Sequence, residues 1–438
     1  MPNILSLRKF LLLAGDIFLL YLSLLVALFF GFWGNFSWEI FLEHLFPFSI
    51  LYLFWLIIFY IFGFYDLDLL RTPFSFYTRA LSEFGLCLGL GMIFFYLIPF
   101  FGITPKTNLI LNIIIFGIFA LSWRQLFYQI STSRFLTKIG IIGENIQAQE
   151  LTGYIQKNPH LGYKLTAFLD VKKDLLQQIR EKNIDILIIA ANLESNSQLA
   201  QSLYQCVPAR INFMDLSRAY EIICEKIPIS FVTQTWFLEN LKEREKGFYD
   251  KAKRIIDSTS AFLLLLLTSP LWLLVALAIK LEDKGPIFYC QERTGKDRKP
   301  FLLIKFRSMI KDAEKEKAVW AEKEDSRITR VGKFLRQSHL DEIPQMLNIL
   351  KGDISLVGPR PERPEFVSQL EKEVPHYHLR HIIKPGFTGW AQIKFRYGRS
   401  VMDSFEKFQY DLYYLKNRSL ILDLRILLKT FELLLRRE

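Results

Sequence analysis

Long apolar stretches fill the first 130 residues and are separated by short polar segments. Four of them are long enough to cross a hydrocarbon core of about 30 Å as helices, and they run roughly over Phe10–Phe32, Leu45–Phe64, Phe84–Phe101 and Leu109–Phe127. The first is too long for a signal peptide and lacks a small-residue cleavage site. We therefore predict a multi-pass membrane protein with a four-helix transmembrane bundle over residues 1–130.

Basic residues in the connecting segments predict the orientation of this bundle. They precede the first apolar stretch, separate the second from the third and follow the fourth: Arg8, Lys9, Arg71, Arg79, Arg134 and Lys138. By the positive-inside rule, both ends of the bundle are expected to face the cytoplasm.

Residues 131–240 show a different pattern, in which short apolar runs alternate with helical segments. The runs lie near Lys138–Gly143, Lys164–Asp170, Ile184–Ala190 and Arg210–Met214. This alternation predicts a small Rossmann-like module with a parallel sheet. Glu144 follows Gly143 where a dinucleotide fingerprint would require further glycines, so a structural, regulatory or dimerisation role is favoured over a cofactor site.

A further apolar run, Ala261–Ile279, has Ser269-Pro270 in its middle and basic residues on both flanks. Proline removes a helix hydrogen bond and kinks the axis. We predict a re-entrant helix over residues 261–281 that enters the inner leaflet, breaks at Pro270 and returns. The hydroxyl of Ser269 or Thr268 would satisfy a freed carbonyl. The alternative is a kinked full span, which would place the following basic domain outside the cell.

Charge separates this last part of the chain from the rest. The net charge is +11, and residues 251–438 hold 35 basic against 24 acidic residues, which is the whole excess. An anionic ligand is therefore expected there. The hydrophobic content of 51% and aromatic content of 15% exclude a disordered chain, and four widely separated cysteines argue against a zinc or redox site.

Two adjacent carboxylates, Asp341 and Glu342, stand just before Pro344. Proline is tolerated only in the first turn of a helix, so the pair is expected at a helix N-terminus, with Gly352 ending that helix. There the helix dipole favours ionised carboxylates, which suits an anionic nucleophile. Adjacent helical residues point about 100° apart, so one could attack while the other holds a metal. The alternative is that Ser338 and Asp341 form only a capping box.

Basic side chains accompany this pair. Lys305 and Arg307 are expected on one face of a strand over Leu302–Met309, where they could grip a diphosphate or merely form a solvated face. A proline-rich loop from Gly358-Pro359 presents Arg360 and Arg363, and a glycine-punctuated turn follows, ending at Gln392. Two tight basic loops beside a carboxylate pair indicate a site for a phosphorylated substrate.

Residues 251–438 resemble the bacterial sugar transferases, monotopic phosphoglycosyl transferases that pass a hexose-1-phosphate from a nucleotide sugar to undecaprenyl phosphate. The motifs that carry the resemblance are Ser269-Pro270, Lys305–Met309, Asp341–Gln345, Gly358–Pro361 and Pro385–Gly389. The four spans and the α/β module resemble the large, two-part members of the family. The broken fingerprint of the α/β module departs from that pattern.

The resemblance implies roles for particular residues. Asp341 would attack the β-phosphate of a UDP-sugar, release UMP and pass the phosphosugar to the lipid. Glu342, with Asp341, would bind Mg²⁺. The residues expected to bind substrate are Lys305, Arg307, Arg336, Pro359, Arg360, Arg363 and Gln392.

We expect residues 241–438 to form an α/β catalytic domain that lies on the cytoplasmic face of the bacterial inner membrane. Leu420–Leu435 is predicted to be an amphipathic helix, lying on the inner leaflet or packed on this domain. The activity would be the first membrane step of exopolysaccharide, capsule or O-antigen synthesis, in a homodimer and without a nucleic-acid partner. Alternatives are a glycosyltransferase that releases UDP, and a non-catalytic membrane scaffold or regulator of polysaccharide assembly.

Overall fold

In the computed structural model the chain forms two compact units, Met1–Cys224 and Glu225–Glu438. The structure describes residues 4–65, 73–97, 106–133, 136–191, 197–209, 211–241, 246–310, 327–395 and 400–435.

Four apolar helices open the first unit: α1 (Ile4–Gly31), α2 (Trp38–Ile61), α3 (Pro73–Leu97) and α4 (Lys106–Ser133). Side chains from all four, such as Leu24, Phe48, Cys87 and Phe116, share one core. Within the described residues, α1, α2 and α4 are long and apolar enough to cross a membrane, whereas the apolar part of α3 is shorter. Such helices are those of a membrane protein, as predicted. The end of the third predicted span, residues 98–101, lies outside the described residues.

A buried ion pair joins α1 to α4. Both Arg124 guanidinium nitrogens Nη1 and Nη2 donate to the Asp16 carboxylate, at 2.7 and 2.6 Å, and neither side chain is exposed. The guanidinium also lies 3.7 Å from the centre of the Phe64 ring. Because each charge is satisfied by the other, the buried Asp16 has a structural explanation.

An α/β region completes the first unit. Its elements are β1 (Thr137–Ile142), α5 (Ile146–Lys157), β2 (Tyr163–Leu169), α6 (Leu175–Glu181), β3 (Ile186–Ile189), α7 (Ser197–Gln205), β4 (Asn212–Asp215) and α8 (Leu216–Cys224). The strands pair in parallel in the order β2-β1-β3-β4, so the predicted parallel sheet is confirmed. Beyond β1, Gly143 adopts φ +90°, and Asn145 Nδ2 donates to the Ala190 carbonyl at 3.1 Å. This hydrogen bond crosses between the ends of β1 and β3, where a doubly wound sheet usually takes a ligand.

The second unit contains both helices and short strands. They are α9 (Gln234–Asn240), α10 (Gly247–Asp283), β5 (Phe288–Thr294), β6 (Pro300–Phe306), α11 (Arg330–Gln337), α12 (Gln345–Lys351), β7 (Ser355–Val357), α13 (Pro364–Glu373), β8 (Gly386–Thr388), α14 (Trp390–Lys394), α15 (Val401–Asn417) and α16 (Leu420–Leu435). Strands β5 and β6 form an antiparallel hairpin, while β7 and β8 pair in parallel. Apolar side chains from α10, β6, α12, β7, α15 and α16 share its main core.

The residues just after Cys224 belong to this unit. Ile227, Ile229 and Val232 pack with Val367 and Phe408 of α13 and α15. The domain boundary predicted at residue 241 therefore falls inside the unit, because these apolar contacts join partners that are far apart in sequence.

Helix α10 corresponds to the predicted re-entrant segment and runs without interruption through Pro270. The helix is therefore continuous at Pro270, where a break was predicted. Pro270 lacks the N–H that would bond the Leu266 carbonyl, and Ser269 Oγ donates to that carbonyl at 2.8 Å instead. This hydrogen bond confirms the prediction that a neighbouring hydroxyl would satisfy the carbonyl that proline leaves without a donor.

The middle of α10 is apolar and exposed, with Leu267 at 77% and Leu273 at 76% exposure. Its two flanks are instead held by the folded part of the unit. Before the apolar run, Asp257 Oδ1 accepts from the Leu356 N–H at 3.2 Å. After it, Asp283 forms an ion pair with Arg307.

Helix α16 presents two apolar faces, and the predicted helix over Leu420–Leu435 is confirmed. Leu422 and Ile426 are buried in the main core of the unit. The alternative in which this helix packs on the domain is therefore confirmed. Ile421, Leu424 and Phe431 remain exposed. One face thus packs on the domain, and a separate apolar stripe stays free to meet a lipid surface.

Candidate active site

The acidic pair lies in a short 3₁₀ turn, Leu340–Glu342, between α11 and α12. Pro344 is the N-cap of α12, and Gly352 ends that helix with φ +93°, as predicted. Ser338 Oγ donates to the Phe334 carbonyl at 2.8 Å and is the C-cap of α11. The capping-box alternative is therefore wrong, because Ser338 ends the preceding helix instead of opening the next one.

Glu342 is held by two cations from distant parts of the chain. Lys305 Nζ, on β6, lies 2.6 Å from Glu342 Oε1, and Arg360 Nη2 lies 3.5 Å from the same oxygen. Burial alone would raise the pKa of Glu342, but these positive charges outweigh it and lower that pKa to about 2. Glu342 is therefore a carboxylate at any physiological pH.

Asp341 is the more buried of the two, with 8% of its surface exposed. Among the described residues its carboxylate accepts no hydrogen bond and forms no ion pair. Burial and the neighbouring charge of Glu342 raise its pKa, while Lys305 and Arg336 act in the opposite direction. A desolvated carboxylate without a partner is more reactive than one held by hydrogen bonds, which fits a nucleophile.

Arg336 comes from the last turn of α11, and its Nε donates to Ser308 Oγ at 2.8 Å. Ser308 follows β6, so this bond orients the guanidinium beside the turn that carries Asp341. The charge of Arg336 acts on Asp341, which places this predicted phosphate ligand at the site.

Backbone pairing between β7 and β8 positions the loop that carries Arg360. Gly358 N–H donates to the Thr388 carbonyl at 2.8 Å, and Gly386 N–H donates to the Pro359 carbonyl at 2.9 Å. A Cβ at Gly358 would lie 2.6 Å from the Lys384 carbonyl oxygen, so only glycine permits this close approach. The strand pairing thereby fixes Pro359 and directs Arg360 toward Glu342.

Three predicted residues are engaged elsewhere. Strand β6 ends at Phe306, and Arg307 pairs with Asp283 of α10 instead of sharing a phosphate-facing surface with Lys305. Arg363 Nε lies 3.5 Å from Glu365 Oε2. Gln392 Nε2 donates weakly to the Phe387 carbonyl at 3.5 Å, and its buried Oε1 has no partner among the described residues.

Sequence reasoning assigned no role to His339. His339 adopts φ +55° immediately before the acidic turn, and its charge acts on both Asp341 and Glu342. The sequence does place this histidine directly before Asp341 and Glu342, which could have drawn attention to it. Only its left-handed backbone conformation shows that it shapes the acidic turn.

The acidic pair has the donor set that Mg²⁺ uses in phosphate-handling sites, where one or two carboxylates bind the ion together with substrate phosphates. Lys305 and Arg360 both contact Oε1 of Glu342, and among the described residues Oε2 accepts no hydrogen bond. The described residues contain no cluster of three or more metal ligands. The pair therefore fits an ion that shares its coordination with a substrate, and does not fit an all-protein cage.

The fold and the site together define a membrane-associated α/β protein with a buried, unpartnered aspartate among basic side chains. Residues 248–437 match the family model described as bacterial sugar transferase. A UDP-N-acetylgalactosamine-undecaprenyl-phosphate N-acetylgalactosaminephosphotransferase of Aeromonas hydrophila is 39% identical over 53% of this chain and 54% of its own length.

Two further relatives are covered more fully. A putative undecaprenyl-phosphate N-acetylgalactosaminyl 1-phosphate transferase of Bacillus subtilis is 48% identical over 30% of this chain and 74% of its own length. A UDP-glucose:undecaprenyl-phosphate glucose-1-phosphate transferase of Caulobacter vibrioides is 40% identical over 42% of this chain and 70% of its own length. The chain belongs to the bacterial sugar transferase family. It spans just over half the length of the Aeromonas relative.

Proposed function

We propose that this protein transfers a hexose-1-phosphate from a UDP-sugar to undecaprenyl phosphate and releases UMP. The observation that carries the proposal is the unpartnered, buried carboxylate of Asp341 beside Glu342, Lys305, Arg336 and Arg360. The relatives named above are undecaprenyl-phosphate sugar phosphotransferases, which supports the same chemistry here.

In the first step, an Asp341 carboxylate oxygen attacks the β-phosphorus of the UDP-sugar. The bond from that phosphorus to the bridging oxygen breaks, and UMP leaves with the oxygen. In the second step, a phosphate oxygen of the lipid attacks the same phosphorus and Asp341 is released. The phosphosugar is thus carried on the enzyme between two in-line displacements.

The surrounding charges serve this chemistry. Arg336 and Arg360 neutralise the diphosphate so that one anion can approach another. Lys305 keeps Glu342 ionised. Mg²⁺ held by Glu342 and Asp341 would add further neutralisation of the phosphates. Pro359, in the loop that carries Arg360, would support the substrate, whereas Gln392 donates to the Phe387 carbonyl and Arg307 and Arg363 pair with Asp283 and Glu365.

Helix α10 supports a location at the membrane interface. Asp257 and Asp283, at its two flanks, both contact the same folded unit. A straight helix would rise about 39 Å between them, more than a hydrocarbon core of about 30 Å. A unit outside the bilayer could not contact both ends of a full span, so insertion from one side is favoured.

The proposed location is the bacterial inner membrane, with the catalytic unit on the cytoplasmic face where nucleotide sugars are found. The step would open the synthesis of an exopolysaccharide, a capsule or an O-antigen, and the enzyme would be a homodimer.

Mass spectrometry tests the covalent step. Enzyme incubated with a UDP-sugar and Mg²⁺, without lipid, should gain one phosphohexose on Asp341 and release one UMP. Asp341→Asn should gain nothing. Full turnover by Asp341→Asn would overturn the mechanism, release of UDP would indicate a glycosyltransferase, and normal polysaccharide assembly with Glu342→Gln would indicate a non-catalytic scaffold.

A further inference from the structure

A second basic cluster lines a cavity at the opposite end of α12 from Asp341. The cavity has a volume of about 220 Å³, whereas one water needs roughly 10–15 Å³. Five basic and two acidic side chains line it: Lys253, Arg254, Lys296, Lys384, Arg418, Asp250 and Asp257. Basic groups therefore outnumber acidic groups in the lining, and there is room for a small anion.

Several of these charged groups already have partners. Lys253 Nζ lies 2.6 Å from Asp423 Oδ2, and Arg254 Nη2 donates to the Leu350 carbonyl at 2.7 Å, at the C-terminal end of α12. Asp257 accepts from the Leu356 N–H. Arg418 Nη2 lies 3.9 Å from Asp250 Oδ2, which leaves Lys296 and Lys384 as the lining cations without an ion pair or a side-chain hydrogen bond among the described residues.

Lys384 differs from the others. It is half-buried, yet within the described part of the chain it makes no hydrogen bond or ion pair. Burial and the charges of Arg254 and Lys296 lower its pKa, while the charges of Asp257 and Asp353 act in the opposite direction. A Cβ at Gly352 would lie 3.3 Å from Lys384 Nζ and 3.4 Å from Arg254 Nη2, so the two cations are close neighbours. Lys384, Arg254 and Lys296 outnumber these two carboxylates, and an excess of like charges held close together is costly.

A buried hydroxyl lies in the same cavity. Ser355, at the start of β7, is 2% exposed, and its Oγ has no hydrogen-bond partner among the described residues. Buried polar groups normally have a partner. An oxygen-rich anion in the cavity would accept from Ser355 Oγ and from the Lys384 ammonium.

We propose that this cavity binds a phosphate group, distinct from the phosphates in the transfer reaction. Helix α12 has seven residues and is therefore about 10 Å long, which separates the two sites. The phosphate could belong to a lipid headgroup or to a free phosphate. Asp257, in the cavity wall, precedes the apolar run of α10 by one helical turn, so a headgroup at the membrane surface is within reach.

The test measures the melting temperature of the full chain against two probes. One arm titrates inorganic phosphate in detergent, with sodium chloride at matched ionic strength. The other compares vesicles of phosphatidylcholine with vesicles that contain phosphatidylglycerol. The variants are Lys384→Gln and Ser355→Ala, with Lys372→Gln, an exposed lysine of α13, as the matched control. Arg360→Gln is added to report on phosphate at the catalytic site.

The proposal is supported if the probe still stabilises Arg360→Gln and Lys372→Gln but binds Lys384→Gln with an apparent affinity about ten-fold lower. A loss of that size is expected when one charge-assisted hydrogen bond is removed. An effect of inorganic phosphate identifies a free phosphate, and an effect of phosphatidylglycerol alone identifies a headgroup. If Lys384→Gln folds poorly, Ser355→Ala provides the same comparison. Equal stabilisation of wild type and both cavity variants, or none in either arm, overturns it, whatever the outcome for transfer activity.

Discussion

Replacing Lys305 by methionine removes the closest counter-ion of Glu342 while keeping an apolar stem of similar length. Lys305 Nζ lies 2.6 Å from Glu342 Oε1, and the two side chains are only 21% and 16% exposed. Arg360 Nη2, at 3.5 Å, remains as a partial replacement. We expect Lys305→Met to lower the free energy of unfolding because it leaves a mostly buried carboxylate with one weaker partner.

The expected size follows from these contacts. Removing one partner of a fully buried pair costs about 3–5 kcal/mol, but Arg360 stays in place, so a value of about 1.5–3 kcal/mol, that of one charged hydrogen bond, is expected. At about 2–4 °C per kcal/mol for a domain of this size, the melting temperature should fall by roughly 3–12 °C. Tryptophan fluorescence of the full chain in detergent measures it, with exposed Lys299→Met as the control.

A double-mutant cycle separates this ion pair from general disruption. If Lys305 acts through Glu342, Glu342→Gln should recover part of the stability lost in Lys305→Met, since a neutral amide needs no counter-ion. Strictly additive losses, or a Lys305→Met melting temperature equal to that of Lys299→Met, would refute the reasoning.

Three further predictions concern pH and the helix at the C-terminus. Burial and the charge of Glu342 raise the pKa of Asp341, so the acidic limb of the UMP-release profile should lie above the 3.8 of an ordinary aspartate. Lys305→Met should move that limb to still higher pH, and a limb at or below 3.8 would contradict this. Burial alone would raise the pKa of Glu225, but Lys394 and Arg425 lower it to about 2. Its stabilisation should therefore be complete above pH 4.5 and disappear toward pH 2, so melting curves of Glu225→Gln and wild type should converge over that range; a constant difference would argue against it. On α16, Leu424→Gln should weaken vesicle binding without lowering the melting temperature in detergent. The buried Ile426→Ala should instead lower the free energy of unfolding by about 2–5 kcal/mol. An equal loss of stability in both variants would exclude a free lipid-facing stripe.

Much of the fold was predictable because its signals are local. The apolar stretches and the four strands follow from patterns within a few residues, and they appear as α1–α4 and β1–β4. Pro344 and Gly352 bound α12 by backbone rules that need no distant partner, so Asp341 and Glu342 could be placed at its start. The hydroxyl beside Pro270 could be assigned for the same reason.

Most of the predictions that were wrong or left open depend on contacts between residues that are far apart in the sequence. Nothing in the chain around Arg307 indicates that Asp283 would pair with it, and the packing of Ile227 against Phe408 moves the start of the second unit to Glu225. The helix break predicted at Pro270 is an exception, because the hydrogen bond from Ser269 Oγ to the Leu266 carbonyl in the continuous helix α10 is a local contact.

The amino-acid sequence by itself determined which residue types were present for phosphate chemistry and which segments were apolar enough for a membrane. Only the tertiary structure decided how those residues are used. It sets Lys305 and Arg360 on one oxygen of Glu342 while Asp341 stays without a partner. The physical reason is that charge interactions act through space over a few ångströms, and the fold alone brings β6, the acidic turn and the loop after β7 within that range.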